Sequence, residues 1–440
     1  MILHEIESAN RKELEAVQLS GLKKTVEAVF HHVPFYREKL KHLNLKPEQI
    51  TEIADIEKLP FTTKKDLRDQ YPFGLFAVDQ RKVVRIHCSS GTSGKPTVVG
   101  YTKNDIDHWA DIVARSIAIA GGEPGDTLHN AYGYGLFTGG LGLHFGSERL
   151  GIATVPVSTG NTSRQITLIE DFRPQIISGT PSYDLNIAEK MEKMGKNPRE
   201  TSLKYGIFGA ETWSEEMRRT LEDKFAIKAC DIYGLSEVMG PGIAMECHEA
   251  QDGLHIQEDH FYAEVIDPDT LDILPDGEEG ELVLTSLTKE ALPMIRYRTG
   301  DIVSLRREKC KCGRNTLRMS RVKGRIDDML IIRGVNVFPS EIELHLLSFK
   351  EITPQYQLYL KKKGTLDEAE LHIEVSNPFF QDIEGNLEHE AAQLLKNKIE
   401  QKMKETCFIH THVKLAKPFT LPRPEGKVKR VIDMRKKATV

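Results

Sequence analysis

The chain has 440 residues, which is too long for a single ordinary hydrophobic core, so we expect two or more domains. It carries 60 Lys and Arg against 65 Asp and Glu, a net charge of -5, which argues against a nucleic-acid binder that works by counterion release. Its start lacks the basic and apolar regions of a signal peptide, and no apolar stretch is long enough to cross a bilayer. We therefore expect a cytoplasmic protein with no nucleic-acid or membrane partner.

The first eighty residues are predicted to be helical and polar, with loop signals at Pro34, Pro47, Pro60 and Pro72. From about Val83, short β-rich runs alternate with helical stretches, a pattern typical of an α/β layered domain. The spacing of apolar residues predicts one helix over residues 106–117, stopped by Gly121 and Gly122. It predicts a second helix that Ser214 caps.

The pattern changes again beyond Arg325. Apolar and polar residues alternate from Leu371 to Val375, as they do in a half-buried strand. A charged amphipathic helix is predicted over residues 386–404, and a further strand over residues 411–415. The predicted fold class is therefore α/β. A large N-terminal domain of layered β-sheets flanked by helices takes residues 1–325, and a small mobile C-terminal α+β domain takes residues 326–440.

A glycine-rich loop follows a predicted strand that ends at Cys88. Its glycines let the backbone approach an anion, and successive N–H groups can surround phosphate oxygens. It is not a Walker A loop, because Lys95 is followed by Pro96 rather than by the Ser or Thr that holds Mg²⁺. A flexible surface loop has a similar composition, but the preceding strand and the Lys-Pro ending favour phosphate binding. The predicted ATP-phosphate residues are Ser89, Ser90, Gly91, Thr92, Ser93, Gly94 and Lys95.

Seven motifs, in this order, resemble the adenylate-forming superfamily of acyl-CoA synthetases and, within it, the phenylacetate-CoA ligases. They are SSGTSGKP at residues 89–96, AYGYGLFTGG at 131–140, FGAE at 208–211, DIYGLSE at 231–237, YRTGD at 297–301, GRIDD at 324–328 and LPRPEGK at 421–427. Any one of them would be weak evidence. Seven in order over nearly the whole chain make a specific resemblance.

The resemblance implies a two-step reaction. ATP and a carboxylate give an acyl-adenylate and pyrophosphate, and the thiol of coenzyme A then displaces AMP. The resemblance also implies Mg²⁺ bound to the phosphates and a homodimer, and we expect an arylacetate, phenylacetate first and indoleacetate second. Two alternatives stay open: a different acceptor, such as a carrier-protein thiol or a deazaflavin cofactor, or a non-catalytic nucleotide-binding regulator. The joint presence of Lys427, Glu237 and Asp301 speaks against the regulator.

Three charged residues take the central roles that the resemblance implies. Lys427 is the cation aimed at the charge that develops when a carboxylate attacks the α-phosphate, although by composition alone it could belong to a solvated basic tail. Glu237 helps to hold Mg²⁺, a task suited to a carboxylate oxygen. Asp301, placed after a Tyr-Arg-Thr-Gly turn, accepts hydrogen bonds from the ribose hydroxyls; a simple Gly-Asp turn is the plainer interpretation.

The remaining expected contacts to the nucleotide surround these residues, with Tyr233 stacked on the adenine and Arg325 touching the ribose or a phosphate. The full expected set is Gly209, Ala210, Glu211, Asp231, Tyr233, Gly234, Ser236 and Arg325. Asp327 matches the hinge about which the small domain rotates, because Lys427 must leave before CoA can reach the same carbonyl. Arg333 and Gly334 are expected to face the thiol tunnel after that rotation.

The expected acid pocket comes from one aromatic stretch, whose rings can stack on a planar substrate and whose glycines leave room for it. Solid core packing is the alternative for so many aromatic residues. The candidates are Tyr132, Tyr134, Phe137, Thr138, Gly139 and Gly140.

A structural zinc site is predicted from Cys310 and Cys312, which place two thiols on a tight turn, a common half of a zinc knuckle. Cys247 and His255 are expected to complete it, with His248 as the substitute for His255. Two reduced surface thiols are the alternative.

Overall fold

The computed structural model describes residues 1–89, 96–333, 335–363, 366–423 and 429–435, and it gives the backbone alone for Ser89 and for residues 327, 336, 363 and 366. Its buried apolar residues form three clusters. Two lie within the first three quarters of the chain, spanning Leu22 to Met319 and Ala131 to Ala229. The third spans Ile332 to Val413 and contains no residue of the other two. The mixed α/β class is thereby confirmed, while the boundary at residue 325 stays a prediction.

The N-terminal segment is helical, as predicted. It contains α1 (Arg11–His32), α2 (Pro34–His42) and α3 (Lys64–Asp69). Asn10 and Glu13 form a capping box at the start of α1, which satisfies backbone N–H groups that the first turn leaves free. Pro34 does not interrupt a helix but begins α2, where the missing N–H of proline costs nothing.

Most strands of the large domain form one mixed sheet. They are β3 (Thr127–Asn130), β4 (Ala153–Val155), β5 (Ile176–Gly179), β6 (Tyr205–Gly209), β7 (Lys228–Leu235), β8 (Gly240–Glu246), β9 (Leu254–Ile256), β10 (Phe261–Ile266), β11 (Glu279–Ser286), β12 (Tyr297–Arg306), β13 (Arg318–Met319) and β14 (Gly324–Arg325). The strand order is β10-β11-β12-β13-β9-β8-β7-β6-β5-β3-β4, with β14 paired to β12. The sheet is parallel from β4 to β7 and antiparallel from β7 to β10. The hairpin β1 (Arg85–Ser89) and β2 (Thr97–Tyr101) stands apart.

Helices connect the parallel strands, as parallel pairing requires. They are α5 (Gly139–Leu150), α6 (Thr162–Phe172), α7 (Pro181–Lys193) and α8 (Glu215–Phe225). A further helix, α4 (Lys103–Ile119), leads from the hairpin to β3. The two helices predicted from apolar spacing are confirmed as α4 and α8. The Ser214 hydroxyl accepts a hydrogen bond from Met217 N at 3.2 Å, the expected cap of α8. None of the described helices has the length together with the apolar character needed to cross a membrane.

The C-terminal unit has its own four-stranded sheet. Its elements are β15 (Leu330–Ile332), β16 (Val335–Val337), α9 (Pro339–Leu346), β17 (Ile352–Lys363), β18 (Leu366–Val375), α10 (Asn377–Asp382), α11 (Glu390–Thr406), β19 (Thr411–Ala416) and β20 (Val431–Asp433). The sheet order is β19-β18-β17-β20. The helix predicted over residues 386–404 is α11, which begins four residues later than predicted, because Asn386 belongs to a turn and His389 caps α11.

Two glycines let α5 pack unusually close to α4. A Cβ on Gly142 would lie 2.7 Å from the Trp109 ring, and one on Gly146 would lie 2.5 Å from the Cβ of Val113. The Gly146 position also faces backbone, since the carbonyl carbon of Val113 is 2.9 Å away. Backbone cannot rotate aside as a long side chain can, so this contact sets the distance between the two helices.

We therefore expect Gly146→Ala to lower the free energy of unfolding by about 1–3 kcal/mol. In an exposed helix the same change raises the free energy of unfolding by about 1 kcal/mol. The sign of the measured change therefore tests the close contact between Gly146 and Val113. Urea denaturation of the purified variant measures it. Lys190→Ala, at an exposed position of α7, is the control and should change stability by no more than roughly 0.5 kcal/mol. A stabilised Gly146→Ala protein would contradict the close packing.

Candidate active site

The turn between β7 and β8 holds Ser236 and Glu237, both nearly buried. A side chain on Gly234 would overlap the carbonyl oxygen of Gly240, so the tight approach at the base of this turn requires glycine. The Ser236 hydroxyl is hydrogen-bonded to the Thr138 hydroxyl at 2.9 Å. Thr138 precedes α5, so this bond brings the predicted acid stretch and the predicted Mg²⁺ residue Glu237 to the same place.

Asp301 lies beside Tyr233 and Arg325. The Tyr233 hydroxyl donates to Asp301 Oδ2 at 2.6 Å, and Arg325 Nη1 lies 2.9 Å from Asp301 Oδ1. Burial raises the pKa of Asp301, and the nearby Arg325 guanidinium opposes that shift. Each carboxylate oxygen has two lone pairs, so both can still accept from a hydroxyl pair. Asp301, held by Tyr233 and Arg325, can therefore still accept hydrogen bonds from a pair of neighbouring hydroxyl groups.

The segment before Asp301 is not the free turn that the sequence analysis expected. Residues 297–301 lie within β12, where pairing with β11 shifts register between Glu281 and Val283. Gly300 has φ +76°, and the Thr299 hydroxyl donates to Leu282 O at 2.8 Å. This bulge re-aims Asp301 toward β14, whose Arg325 is its register partner.

The FGAE motif begins at the end of the parallel strand β6 and continues into the loop after it. Gly209 ends the strand, where a Cβ would overlap the carbonyl oxygen of Ile232, and Ala210 has φ +69°. Glu211 Oε1 accepts from Ser182 N at 2.8 Å. Asp231 lies on the neighbouring β7, where burial raises its pKa and Arg321 opposes that shift. These residues sit at the carboxyl ends of parallel strands, the edge where open α/β sheets bind ligands.

The aromatic stretch is partly packed and partly open. Tyr132 is buried, whereas Phe137 is about one third exposed. The Tyr134 hydroxyl accepts from Asn130 Nδ2 at 2.9 Å, and burial raises the pKa of Tyr134 to about 12. The predicted pocket glycines Gly139 and Gly140 do not border open space. A Cβ on Gly140 would lie 2.6 Å from Gly133 O, and one on Gly139 would strike the Phe137 ring. Gly140 instead allows close approach of the backbone at Gly133.

Several predicted residues cannot be placed. Ser90, Gly91, Thr92, Ser93, Gly94, Lys95, Gly334 and Lys427 lie outside the described residues. Ser89 ends β1, which confirms the strand before the loop, and Asp327 belongs to a single turn of 3₁₀-helix, Ile326–Asp328. Arg333 is exposed and donates from Nε to Asp367 O at 2.6 Å, a contact within the small domain.

The predicted zinc ligands converge. One ligand atom from each of Cys247, His255, Cys310 and Cys312 lies within 4.8 Å of all the others. Cys247 follows β8, His255 lies on β9, and the other two thiols lie between β12 and β13, so the antiparallel pairing of these strands assembles the group.

The spacing within this group fits a tetrahedral ion. The Cys247 and Cys310 sulfurs are 3.6 Å apart, and two thiolates on one zinc are separated by about 3.8 Å. Cys312 Sγ lies 3.4 Å from His255 Nε2, while His255 Nδ1 is hydrogen-bonded to the Thr316 hydroxyl at 2.9 Å and fixes the ring. His248, the substitute, lies elsewhere, with Nε2 3.4 Å from Glu249.

Comparison with known proteins gives the family. The AMP-binding enzyme family matches residues 20–288, and the AMP-binding enzyme C-terminal domain matches residues 334–435. A phenylacetate-coenzyme A ligase of Thermus thermophilus is 51% identical over 440 residues, covering 98% of this chain and 99% of that protein. One of Escherichia coli is 50% identical over 434 residues, covering 98% of each. The chain belongs to the phenylacetate-CoA ligase family. It is an AMP-forming acid–CoA ligase that works through an acyl-adenylate.

A solved relative captures two arrangements of such a ligase. This chain matches 2-hydroxyisobutyryl-CoA ligase in the postadenylation state, in complex with 2-HIB-AMP, with TM-score 0.90 and 28% identity, covering 98% of this chain and 92% of that one. Against the same enzyme with 2-HIB-AMP and CoA in the thioesterification state, coverage and identity are equal but the TM-score is 0.71. The two domains of this ligase are therefore arranged as in the postadenylation state.

Lys289 is a buried residue of this site that the sequence analysis missed. Its Nζ lies 3.2 Å from the centroid of the Tyr101 ring and 3.8 Å from Met239 Sδ. The Tyr101 hydroxyl donates to Met239 O at 2.6 Å, so both residues support the turn that carries Glu237. No sequence signal distinguishes Lys289, because it sits between Thr288 and Glu290 in what reads as a polar loop.

Burial lowers the pKa of Lys289 to about 7, with Asp105 opposing that shift. An unfolded lysine keeps a pKa near 10.4, so between about pH 7 and about pH 10 unfolding takes up a proton and stability rises with pH. We therefore expect Lys289→Met to raise the free energy of unfolding most at neutral pH, with the gain shrinking toward about pH 10. Urea midpoints across this range measure it, with exposed Lys12→Met as control. A gain that is independent of pH would contradict a buried, titrating lysine.

Proposed function

We propose that the acid activated by this ligase is phenylacetate or a close arylacetate, and that coenzyme A accepts the acyl group. Four phenylacetate-coenzyme A ligases with 49% to 51% identity over nearly their whole lengths support this substrate. The observation that carries the proposal is the Thr138–Ser236 hydrogen bond, which joins the aromatic stretch to the turn of Glu237. An acid bound against Tyr132 and Phe137 then has its carboxylate beside the phosphates.

The charges of the site support a division of roles. Glu237 and Mg²⁺ serve the phosphates, since Mg²⁺ prefers a carboxylate ligand together with substrate oxygens. Asp301 serves the ribose hydroxyls, with the Arg325 guanidinium opposing the rise in the pKa of Asp301 that burial causes. The loop at residues 89–95 serves the departing pyrophosphate. Lys427 supplies the cation at the reacting carboxylate, because two anions cannot meet without compensation of their charge.

The two half-reactions require different arrangements of the domains. Lys427 has to withdraw before the thiol can approach the same carbonyl, and Asp327 is the hinge of that rotation. Arg333 and Gly334 then face the thiol. A cytoplasmic homodimer is the remaining part of the proposal, and it rests on the family resemblance alone.

We also infer a structural zinc ion at Cys247, His255, Cys310 and Cys312. Four ligands that fill a tetrahedron leave no position for a substrate, so the role is structural. The ion would join the strand ends at β8 and β9 to the segment between β12 and β13. Three thiols so close together without a metal would repel one another once ionised.

The function is tested by supplying ATP, Mg²⁺ and phenylacetate, with and without CoA, and measuring AMP and thioester. We expect Lys427→Ala to lower acid-dependent pyrophosphate exchange by at least about a hundredfold, yet still to convert supplied phenylacetyl-adenylate with CoA. Lys429→Ala, two residues along the same segment, is the matched control. Equal loss of both half-reactions would refute this role. Exchange without thioester would indicate another acceptor.

The zinc site is tested by metal analysis. We expect the purified protein to carry about one zinc per chain, and Cys312→Ala to lose it and to unfold at a lower urea concentration. Cys88→Ala removes a thiol outside the group and should keep the metal. Less than about a tenth of an equivalent of zinc per wild-type chain would contradict this proposal.

A further inference from the structure

Arg423 lies at the contact between the two domains, in the segment that leads to Lys427 four residues later. On one side its guanidinium meets Glu374 of β18, and Nη2 donates to Glu374 Oε2 at 2.7 Å. On the other side, the same Nη2 lies 3.5 Å from Glu189 Oε2, on α7 of the large domain. One guanidinium is therefore shared by a carboxylate of each domain.

Within the small domain, the ion pair between Arg423 and Glu374 is supported by further hydrogen bonds. Glu374 is fully buried and also accepts from Leu421 N at 2.6 Å, so it fixes the backbone of the segment as well as Arg423. Arg423 Nη1 donates to Leu421 O at 2.9 Å. These bonds join residues of one domain, so they persist when that domain moves as a body.

The contact between the domains, from Arg423 to Glu189, is longer than the contact from Arg423 to Glu374. Glu189 is largely buried, and burial raises its pKa while Arg423 opposes that shift. One turn further along α7, Lys193 Nζ lies 3.2 Å from the centroid of the Phe419 ring, a cation–π contact that also joins the domains. Both contacts come from one helix face, and both reach the segment of residues 419–423.

These contacts occur in the arrangement that matches the postadenylation state of a solved relative, with TM-score 0.90, rather than its thioesterification state, with TM-score 0.71. A rotation of the small domain carries Arg423 away with Glu374 and leaves Glu189 behind. A contact present in only one of two arrangements shifts the equilibrium toward that arrangement by its own free energy.

We propose that Glu189 is a positioning residue for adenylation: through Arg423 it holds the small domain, and the segment that leads to Lys427, in the arrangement that matches the postadenylation state. The proposal rests on the role given to Lys427 above. It predicts opposite consequences for the two half-reactions, which a residue that merely supported folding would not produce.

The test measures the half-reactions separately in the full-length enzyme. Acid-dependent exchange of pyrophosphate into ATP reports adenylation, and conversion of supplied phenylacetyl-adenylate with CoA reports thioester formation. We expect Glu189→Gln to slow adenylation roughly three- to tenfold, as loss of a half-buried charge pair does, and to leave thioester formation unchanged or faster. Glu189→Asp keeps the charge and should fall between the variant and the wild type.

Glu192→Gln is the matched control, because Glu192 lies on the same helix but pairs with Lys224 of the large domain at 2.7 Å. It should leave both half-reactions unchanged. Lys193→Met removes the second contact between the domains and should act in the same direction as Glu189→Gln. Equal slowing of both half-reactions by Glu189→Gln, or no change in either, would overturn the proposal. If wild-type enzyme does not activate phenylacetate, the substrate assignment fails, and the comparison is made with the acid that it does activate.

Discussion

The hydrogen bond between Tyr233 and Asp301 joins strands that are four places apart in the sheet, β7 and β12. Strands lie about 4.8 Å from one another, so a flat sheet would separate these two by about 19 Å. The antiparallel half must therefore curl back over the end of the parallel half. This curvature assembles the candidate site, because it sets Asp301 against Tyr233 on the strand that leads to Glu237.

Two local features of β12 and β7 make that curvature achievable. β12 pairs with β11 through residues 297–304, with β14 at residues 301 and 302, and with β13 only at residues 305 and 306. One strand therefore joins two parts of the sheet. The bulge at Gly300 supplies the bend. β7 has a parallel neighbour on one side and an antiparallel one on the other, which brings the helix-flanked strand ends and the hairpin turn to one edge.

The parts of this protein that could be predicted from the sequence depend on local chemistry. Apolar spacing and Ser214 were enough for α4 and α8, and the preference of thiols and imidazole for one ion was enough to choose Cys247 and His255 as partners of the Cys-Lys-Cys turn. What could not be predicted depends on contacts between distant segments. The bulge in β12 requires β11 as a partner, and the packing of Gly140 requires the backbone of Gly133.

The environments of the charged residues Lys289 and Arg423 also depend on contacts between distant segments, so they could not be predicted from the sequence. Lys289 stands between Thr288 and Glu290, and Arg423 stands between two prolines, and neither context indicates which partner the side chain meets in the folded protein. Lys289 is buried because Glu290 N and Ala291 N donate to Asp105 of α4 and so draw the loop inward. The contact of Arg423 with the large domain depends on Glu189, more than two hundred residues earlier in the chain.

The buried charge pair within the large domain and the pair between the two domains differ in geometry. Arg296 and Glu264, both nearly buried, form a bidentate pair at 2.8 and 3.1 Å, and they never have to separate during the reaction. The Arg423–Glu189 contact is longer, at 3.5 Å, and it joins the two domains that the proposed rotation would separate. Under the proposed rotation, too strong a contact would hold the enzyme in the arrangement that follows adenylation, whereas too weak a contact would not favour that arrangement. A single ion pair of modest strength, made by a guanidinium already held by Glu374, satisfies both requirements because only one of its two partners is released.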